Sequence, residues 1–460
     1  MKCLAYIAVL LNLCACSVAV DNQFISYDRA ELKKRTFDYF WELADKNNYQ
    51  IPDRYPTLTF SSIAATGFGL SVYLTGIENG YISRDDAANR VLLTLQTLWN
   101  LPQGPEAEGV SGHKGFFYHF LKTDDAERYK QVELSSIDTG LLMAGVLSVM
   151  SYFNEGNETE QQIRNIADSL YRRVDWAWML NDSNRLSMGW HPEKGFITSD
   201  WRGYNEAMIL IIMAIASPTY PIPAECWETW CKTYETDSFY SERFVQFDPL
   251  FGHQYSHIWI DFRDIRDTYM ENSGSDYFIN SQKASLANRA YCIDNPNKYS
   301  GYSENIWGLT ACDGPANQKL NINGTERTFF DYRARGASSL QIVDDGTIAP
   351  TAAGGSFPFT PAESEHTLQY MWNNFYDKLI GEYGFKDAFN LTYKDEKNPE
   401  GWFDIDYLGI DQGPILLQIQ NYETELLWNT MKKNPYIISG LKKAGFKGGW
   451  LDKIIEKYDK

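Results

Sequence analysis

The stretch Leu134–Met150, LSSIDTGLLMAGVLSVM, carries one acid, Asp138, and then twelve residues without a charge. An apolar run of that length with no polar face is a helix that must be buried on all sides. Asp138 falls in its first turn, where unpaired backbone N–H groups favour a carboxylate. Such a helix needs a shell of other helices around it, and its N-terminus opens onto something polar.

The same device recurs along the chain. Ser61-Ser62 precedes the nearly uncharged Ile63–Leu74, Tyr204-Asn205-Glu206 opens Met208–Ala216, and Asp411-Gln412-Gly413-Pro414 opens Ile415–Ile419. Amphipathic helices lie between: Leu32–Ala44, the one starting at Ser83-Arg84-Asp85-Asp86 and running through Leu98, and Gln161–Leu180. One buried plus one amphipathic helix repeats at about 70 residues, longer than the roughly 34 to 47 residues of helical solenoids. The beat predicts an all-α chain folded as an (α/α)6 barrel, or toroid, with long, partly irregular cleft loops. Inner helices running the same way put all their N-termini at one rim. Strands are expected only in loops such as Phe251–Asp261. The irregular middle, Pro218–Gly355, is expected to form cleft walls. No linker divides residues 22–460, which are read as one domain.

The first 21 residues read as a leader and tether outside that domain. Lys2 precedes a short apolar core, Leu4–Leu13, too short to span a membrane. Leu13-Cys14-Ala15-Cys16 resembles a bacterial lipobox, with Cys16 as the residue to be acylated. The expectation is an exported lipoprotein, periplasmic or anchored at the outer membrane, touching the membrane through its lipid alone. Of the four later cysteines, 226, 231, 292 and 312, buried free thiols are favoured over bridges, since a core this large needs no staples.

Charge narrows the partner. Forty-two Lys+Arg against 60 Asp+Glu leave −18, which repels nucleic acid and other polyanions. A neutral partner fits, and the 14 Trp, 30 Tyr and 25 Phe supply rings suited to stacking on sugar faces. The chain has no Gly-x-Ser-x-Gly elbow, Walker loop, dinucleotide fingerprint or His-Glu-x-x-His. His253 and His257 have i,i+4 spacing but no evident third ligand, so no metal site is expected. Acids remain. Asp138, Glu206 and Asp411 stand at inner-helix N-termini and would converge, with Glu133, Asp200-Trp201 and Trp402–Tyr407 close ahead of them. Glycosidic cleavage needs one protonated acid for the leaving oxygen and one ionised carboxylate for water or attack. The competing role for each acid is a helix cap or dipole partner worth about 1 kcal/mol. His119 reads equally as a sugar hydrogen-bonding group or a structural imidazole.

Five stretches carry a resemblance. Ala65–Leu70, Ser135–Gly145, Asp200–Leu210, Asp345–Pro361 (DGTIAPTAAGGSFPFTP) and Trp402–Tyr422 (WFDIDYLGIDQGPILLQIQNY) resemble the bacterial glycoamylase-like family, which includes the endo-β-1,2-glucanases of glycoside hydrolase family 144. The resemblance implies an (α/α)6 barrel without metal or organic cofactor, and inverting hydrolysis of a neutral β-glucan, outside the cytoplasm of a Bacteroidetes-type bacterium. It suggests Glu206 as the general acid and Asp138 as the base or water positioner, with Asp404 and Asp411 in reserve. Inversion puts the two carboxyl groups about 6.5–9.5 Å apart. Candidate sugar contacts are His119, Trp201, Tyr204, Trp259, Asp313 and Trp402, and a monomer is expected. After Trp307–Pro315, Ala316-Asn317-Gln318-Lys319 stands where the family continues Gly-Tyr-rich, so one cleft wall differs in shape. Two other readings fit the toroid: a polysaccharide lyase, which needs a basic cleft, and a non-catalytic glycan-binding lipoprotein.

Overall fold

The computed structural model describes residues 26–322 and 324–458. The leader, with Lys2 and the lipidation candidate Cys16, lies outside the described residues. In chain order the helices are α1 Arg29–Glu42, α2 Ile63–Glu78, α3 Arg84–Asn100, α4 Ser136–Tyr152, α5 Glu158–Arg173 and α6 Ala207–Ala216. There follow α7 Glu225–Cys231, α8 Tyr255–Trp259, α9 Thr268–Ser273, α10 Tyr277–Asp294 and α11 Pro350–Gly355. The chain ends through α12 Pro361–Leu379, α13 Gly409–Thr424, α14 Leu426–Met431, α15 Pro435–Lys443 and α16 Gly449–Tyr458.

Six of these form the inner ring: α2, α4, α6, α8, α11 and α13. Every residue of α6 is buried, and so is all of α4 from Asp138 to Val149. The ring closes where α13 packs on both α2 and α11. The outer layer is α1, α3, α5, α10, α12 and, against α6, the late helix α15. That last assignment follows from length. The chain leaves α6 into the short α7, which cannot cover a ten-residue apolar helix, so the C-terminal segment returns to do it.

Caps explain where the helices begin. Ser62 Oγ accepts from Ala65 N at 3.2 Å and Ser135 Oγ accepts from Asp138 N at 3.2 Å. Ser83 and Asp86 reciprocate at the start of α3, at 2.6 and 3.0 Å. The expected helix Gln161–Leu180 is shorter in the structure: α5 stops at Arg173 and Trp176–Met179 form a 3₁₀ turn. Asp175 causes the break, because its amide donates to Lys114 O at 2.9 Å and draws the chain onto the rim.

Phe251–Asp261 is also a correction, being helical rather than strand-like. It lies inside the ring, where the Gln254 side chain donates to Ala352 O at 2.8 Å and Ser356 Oγ at 2.9 Å. The strands are short pairings of loops at the rim. A five-stranded antiparallel sheet joins Gly112–His113, Phe116–Tyr118, Leu134–Ser135, Gly189–His191 and Gly195–Phe196, with Phe117 opposite Ser135 and Leu134 opposite Trp190. The expected departure after Pro315 is a protruding hairpin, Gln318–Ile322 with Thr325–Phe329. Cys226, Cys231, Cys292 and Cys312 are all buried and unbridged.

The tightest inner contact is α2 against α4. A Cβ on Gly145 would lie 2.1 Å from Gly67 O, and one on Gly67 would lie 2.5 Å from Leu141 O. Gly145→Ala must therefore push two buried helices apart, costing about 1–3 kcal/mol. Its thermal unfolding midpoint should fall, whereas Gly156→Ala, with open space around that Cβ, should leave it unchanged.

Candidate active site

Acids gather at the rim where the inner helices start, in two groups on facing walls. The first belongs to α4 and α6. Asp138, in the first turn of α4, is buried, and its Oδ2 accepts a short hydrogen bond from Ser135 Oγ. Its Oδ1 lies 3.5 Å from His119 Nε2, and His119 Nδ1 lies 2.8 Å from Glu133 Oε1. The rim sheet sets this up, since His119 N donates to Glu133 O at 3.0 Å.

Glu206 stands at the N-cap of α6 but makes no side-chain cap bond, and its Oε2 is buried without a partner. The capping role is thus unfilled. Burial, with the negative charge of Asp138 adding to it, pushes the Glu206 carboxyl up to about 7. Burial also raises Asp138, but His119 and the Ser135 hydroxyl oppose that rise. For His119 burial disfavours the cation, yet Asp138 and Glu133 overcome it and hold the ring up to about 9.

The second group belongs to α13 and the loops before it. A three-stranded sheet of Thr347–Ile348, Phe389–Asn390 and Trp402–Phe403 brings Asp387 and Asp404 together. Asp404 N donates to Ala388 O and Asp387 N to Asp406 O, both at 2.9 Å. Oxygens of Asp313, Asp387 and Asp404 lie within 4.8 Å of one another, and these are the described residues close enough to share a cation. Arg54 already serves them: it reaches Asp313 at 2.6 Å, Asp53 at 3.2 Å and Asp406 at 4.0 Å. One guanidinium cannot balance so many buried acids, so their carboxyl groups are pushed up. Burial and the charges of Asp387 and Asp313 push Asp404 up to about 8, and burial, with Asp313 and Asp53 adding to it, pushes Asp411 up to about 7. Asp411 Oδ2 and Asp404 Oδ2 are both without partners.

A buried arginine builds this wall. Arg335 pairs with Asp345 at 2.7 and 2.8 Å and donates to the carbonyls of Cys312, Phe330 and Asp331 at 2.8, 3.1 and 3.1 Å. It thereby ties together the loop bearing Asp313 and Tyr332. The Tyr332 ring is 47% exposed and lines a hollow of about 500 Å³ with Phe247, Phe251 and Arg333. A larger hollow of about 670 Å³, between Trp227, Tyr234 and Tyr269 on the outer wall, is lined by other acids, Asp267, Glu225 and Glu228, and by none of the rim acids.

Of the candidates named from sequence, Asp138, Glu206, His119, Asp313, Asp404 and Asp411 all lie at this rim. Three aromatics are corrected. Trp259 is fully buried, stacks on Phe68 at 5.4 Å and donates to Ser71 Oγ at 2.9 Å. Trp201 donates its indole N–H to Ser136 Oγ at 2.9 Å beneath the start of α4. Tyr204 packs against Tyr277 and His253 at 5.8 and 4.8 Å. These rings are core, because buried runs next to helix starts need large side chains to fill the ring. Trp402 is half-buried in its strand. Asp200 is held down to about 2, against burial, by Arg202, Asn181 and Arg185, and so is structural. His253 and His257 have separate partners, Phe247 O at 3.2 Å and Ser281 Oγ at 3.0 Å, and burial lowers both to about 3.

Sequence reasoning missed Asp53, Arg54, Asp387, Tyr332 and Arg335. They sit in irregular loops, and the Asp53-Arg54 dipeptide was the one local hint, an ion pair in a short loop.

Comparison with known proteins adds a family. Residues 198–435 match the family model "Glycoamylase: Putative glucoamylase". The chain is 30% identical over 446 residues to an exo-β-1,2-glucooligosaccharide sophorohydrolase (non-reducing end) of Parabacteroides distasonis, covering 90% of this chain. It spans 57% of that relative's length. It is similar to the endo-β-1,2-glucanase of Chitinophaga pinensis, solved with sophorotriose and glucose: TM-score 0.79, 30% identity, 92% of this chain and 100% of that one. A β-1,2-glucanase structure from Parabacteroides distasonis gives TM-score 0.78 and 30% identity over 90% of this chain and 59% of that one. With the barrel and its acid-lined rim in place, these matches make the chain a member of the glycoamylase-like family, the one that includes the endo-β-1,2-glucanases of glycoside hydrolase family 144.

Proposed function

We propose that this protein is a glycoside hydrolase that cleaves within β-1,2-glucan chains by a two-carboxylate, inverting route. The observation that carries the reading is Glu206: buried, uncapped, with a free oxygen and a carboxyl pushed up to about 7, next to Asp138, where His119 and the Ser135 hydroxyl oppose the rise that burial causes. Glu206 gives its proton to the glycosidic oxygen as the bond to the anomeric carbon breaks. Asp138 takes a proton from the water that attacks that carbon from the opposite face. Asp404 and Asp411, raised by burial and neighbouring acids on the facing wall, serve as hydrogen-bonding groups to sugar hydroxyls, with Asp313 fixed by Arg54 beside them.

β-1,2-Glucan is favoured as substrate because relatives that align along nearly the whole chain act on it or bind its oligosaccharides. Arg54, already committed to acids, is a poor receptor for a uronate, which weighs against a lyase. We also infer that the leader exports the chain as a lipid-anchored monomer.

Incubated with linear β-1,2-glucan, β-1,3-glucan, starch and a polyuronate, the protein lacking residues 1–21 should release short oligosaccharides from the first alone. Release from none of them would overturn the hydrolase reading. Glu206→Gln and Asp138→Asn should each lower kcat by about 10²–10⁴ with little change in KM, as read from initial rates. Because Glu206 must be protonated, kcat/KM should fall as pH rises through about 7, and a pH–rate profile reads this limb directly.

A further inference from the structure

We propose that His119 is a positioning residue: clamped between Glu133 and Asp138, it fixes Asp138 as the charge-bearing partner of the protonated Glu206. The inference rests on the acid–base reading above and adds to it what sets the polarity of the pair.

The geometry carries it. Both ring nitrogens face carboxylates, Nδ1 at 2.8 Å and Nε2 at 3.5 Å. A neutral imidazole has one N–H and would turn a lone pair toward the other acid, whereas the cation donates to both. The ring is not free to turn away. It stacks on Phe120 with centroids 3.9 Å apart, and its backbone is tied to Glu133 and, through its carbonyl, to Ile63 N. Asp138 therefore accepts from Ser135 Oγ on one oxygen and has the His119 ring nitrogen as a charged neighbour, 3.5 Å away, on the other. Glu206, nearby, has an oxygen with no donor at all. Donors favour the ionised form and their absence favours the protonated one. Asp138 is the buried end of the clamp, 11% exposed against 29% for Glu133 and 32% for His119. The charged groups that act on His119 are Glu133, Asp138 and Asp53, the last already paired with Arg54.

The test is the pH dependence of kcat/KM on linear β-1,2-glucan. Removing the cation raises the Asp138 pKa, and Asp138 must be ionised, so the acidic limb should move upward. In His119→Asn the expected shift is about one pH unit, with kcat affected more than KM and the basic limb unmoved. His119→Gln, which can still offer a neutral N–H toward Asp138, should recover part of it. If His119→Asn does not fold, His119→Gln carries the test, because it also removes the cation and should shift the acidic limb upward by less. An unmoved acidic limb with a raised KM would overturn the proposal and leave His119 a direct sugar contact. Full activity in Asp138→Asn would overturn the underlying reading instead, so the two failures are distinguishable.

Discussion

The inner helices have no polar face, and everything else in the structure accommodates that. A helix buried along its whole length can meet water or a polar ligand only at its ends. Once each inner helix is followed by a segment returning along the outside, all inner N-termini fall at one rim. The α2–α4 contact shows how strict the packing is, because Gly67 and Gly145 leave no room for a methyl group between backbones. Where the alternation fails after α6, the core still has to be covered, and α15 arrives from the far end of the chain to do so.

Convergent N-termini create an electrostatic problem as well as a site. Aligned helix starts favour negative charge, but carboxylates packed together and withdrawn from water disfavour it. The fold resolves this differently on its two walls. On the α4–α6 wall a serine donor and a nearby histidine offset burial at Asp138, while Glu206 has an oxygen without a partner. On the facing wall a single guanidinium, Arg54, holds Asp313 and Asp53 while burial and neighbouring acids push Asp404 and Asp411 up. Burial raises all of these acids, and the donors and cations near each decide how far that rise is offset, which is how acids of the same chemistry can be set apart for acid–base cleavage.

Legibility followed the range of the physical signal. The buried and amphipathic periods are local, so α2, α4, α6 and α13 and the acids at their starts could be read directly from the residues. Asp53, Arg54, Asp387 and Tyr332 lie in loops with no period, and only tertiary contacts bring them to the rim. Aromatics misled for a related reason. Trp201, Tyr204 and Trp259 stand beside helix starts just as a sugar platform would, but a ring of six helices also has a large interior to fill, and composition does not distinguish the two uses.

The sequence by itself determined the all-α class, the alternation of inner and outer helices and the identity of Asp138, Glu206 and Asp411 as rim acids. Those follow from hydrophobic period and helix-start chemistry, which act within a few residues. Tertiary structure alone decided which acids burial raises most, that His119 lies between Glu133 and Asp138, and that Arg335 ties the loop holding Asp313. These depend on burial and on donors contributed from segments distant in the chain, and neither exists until the barrel closes.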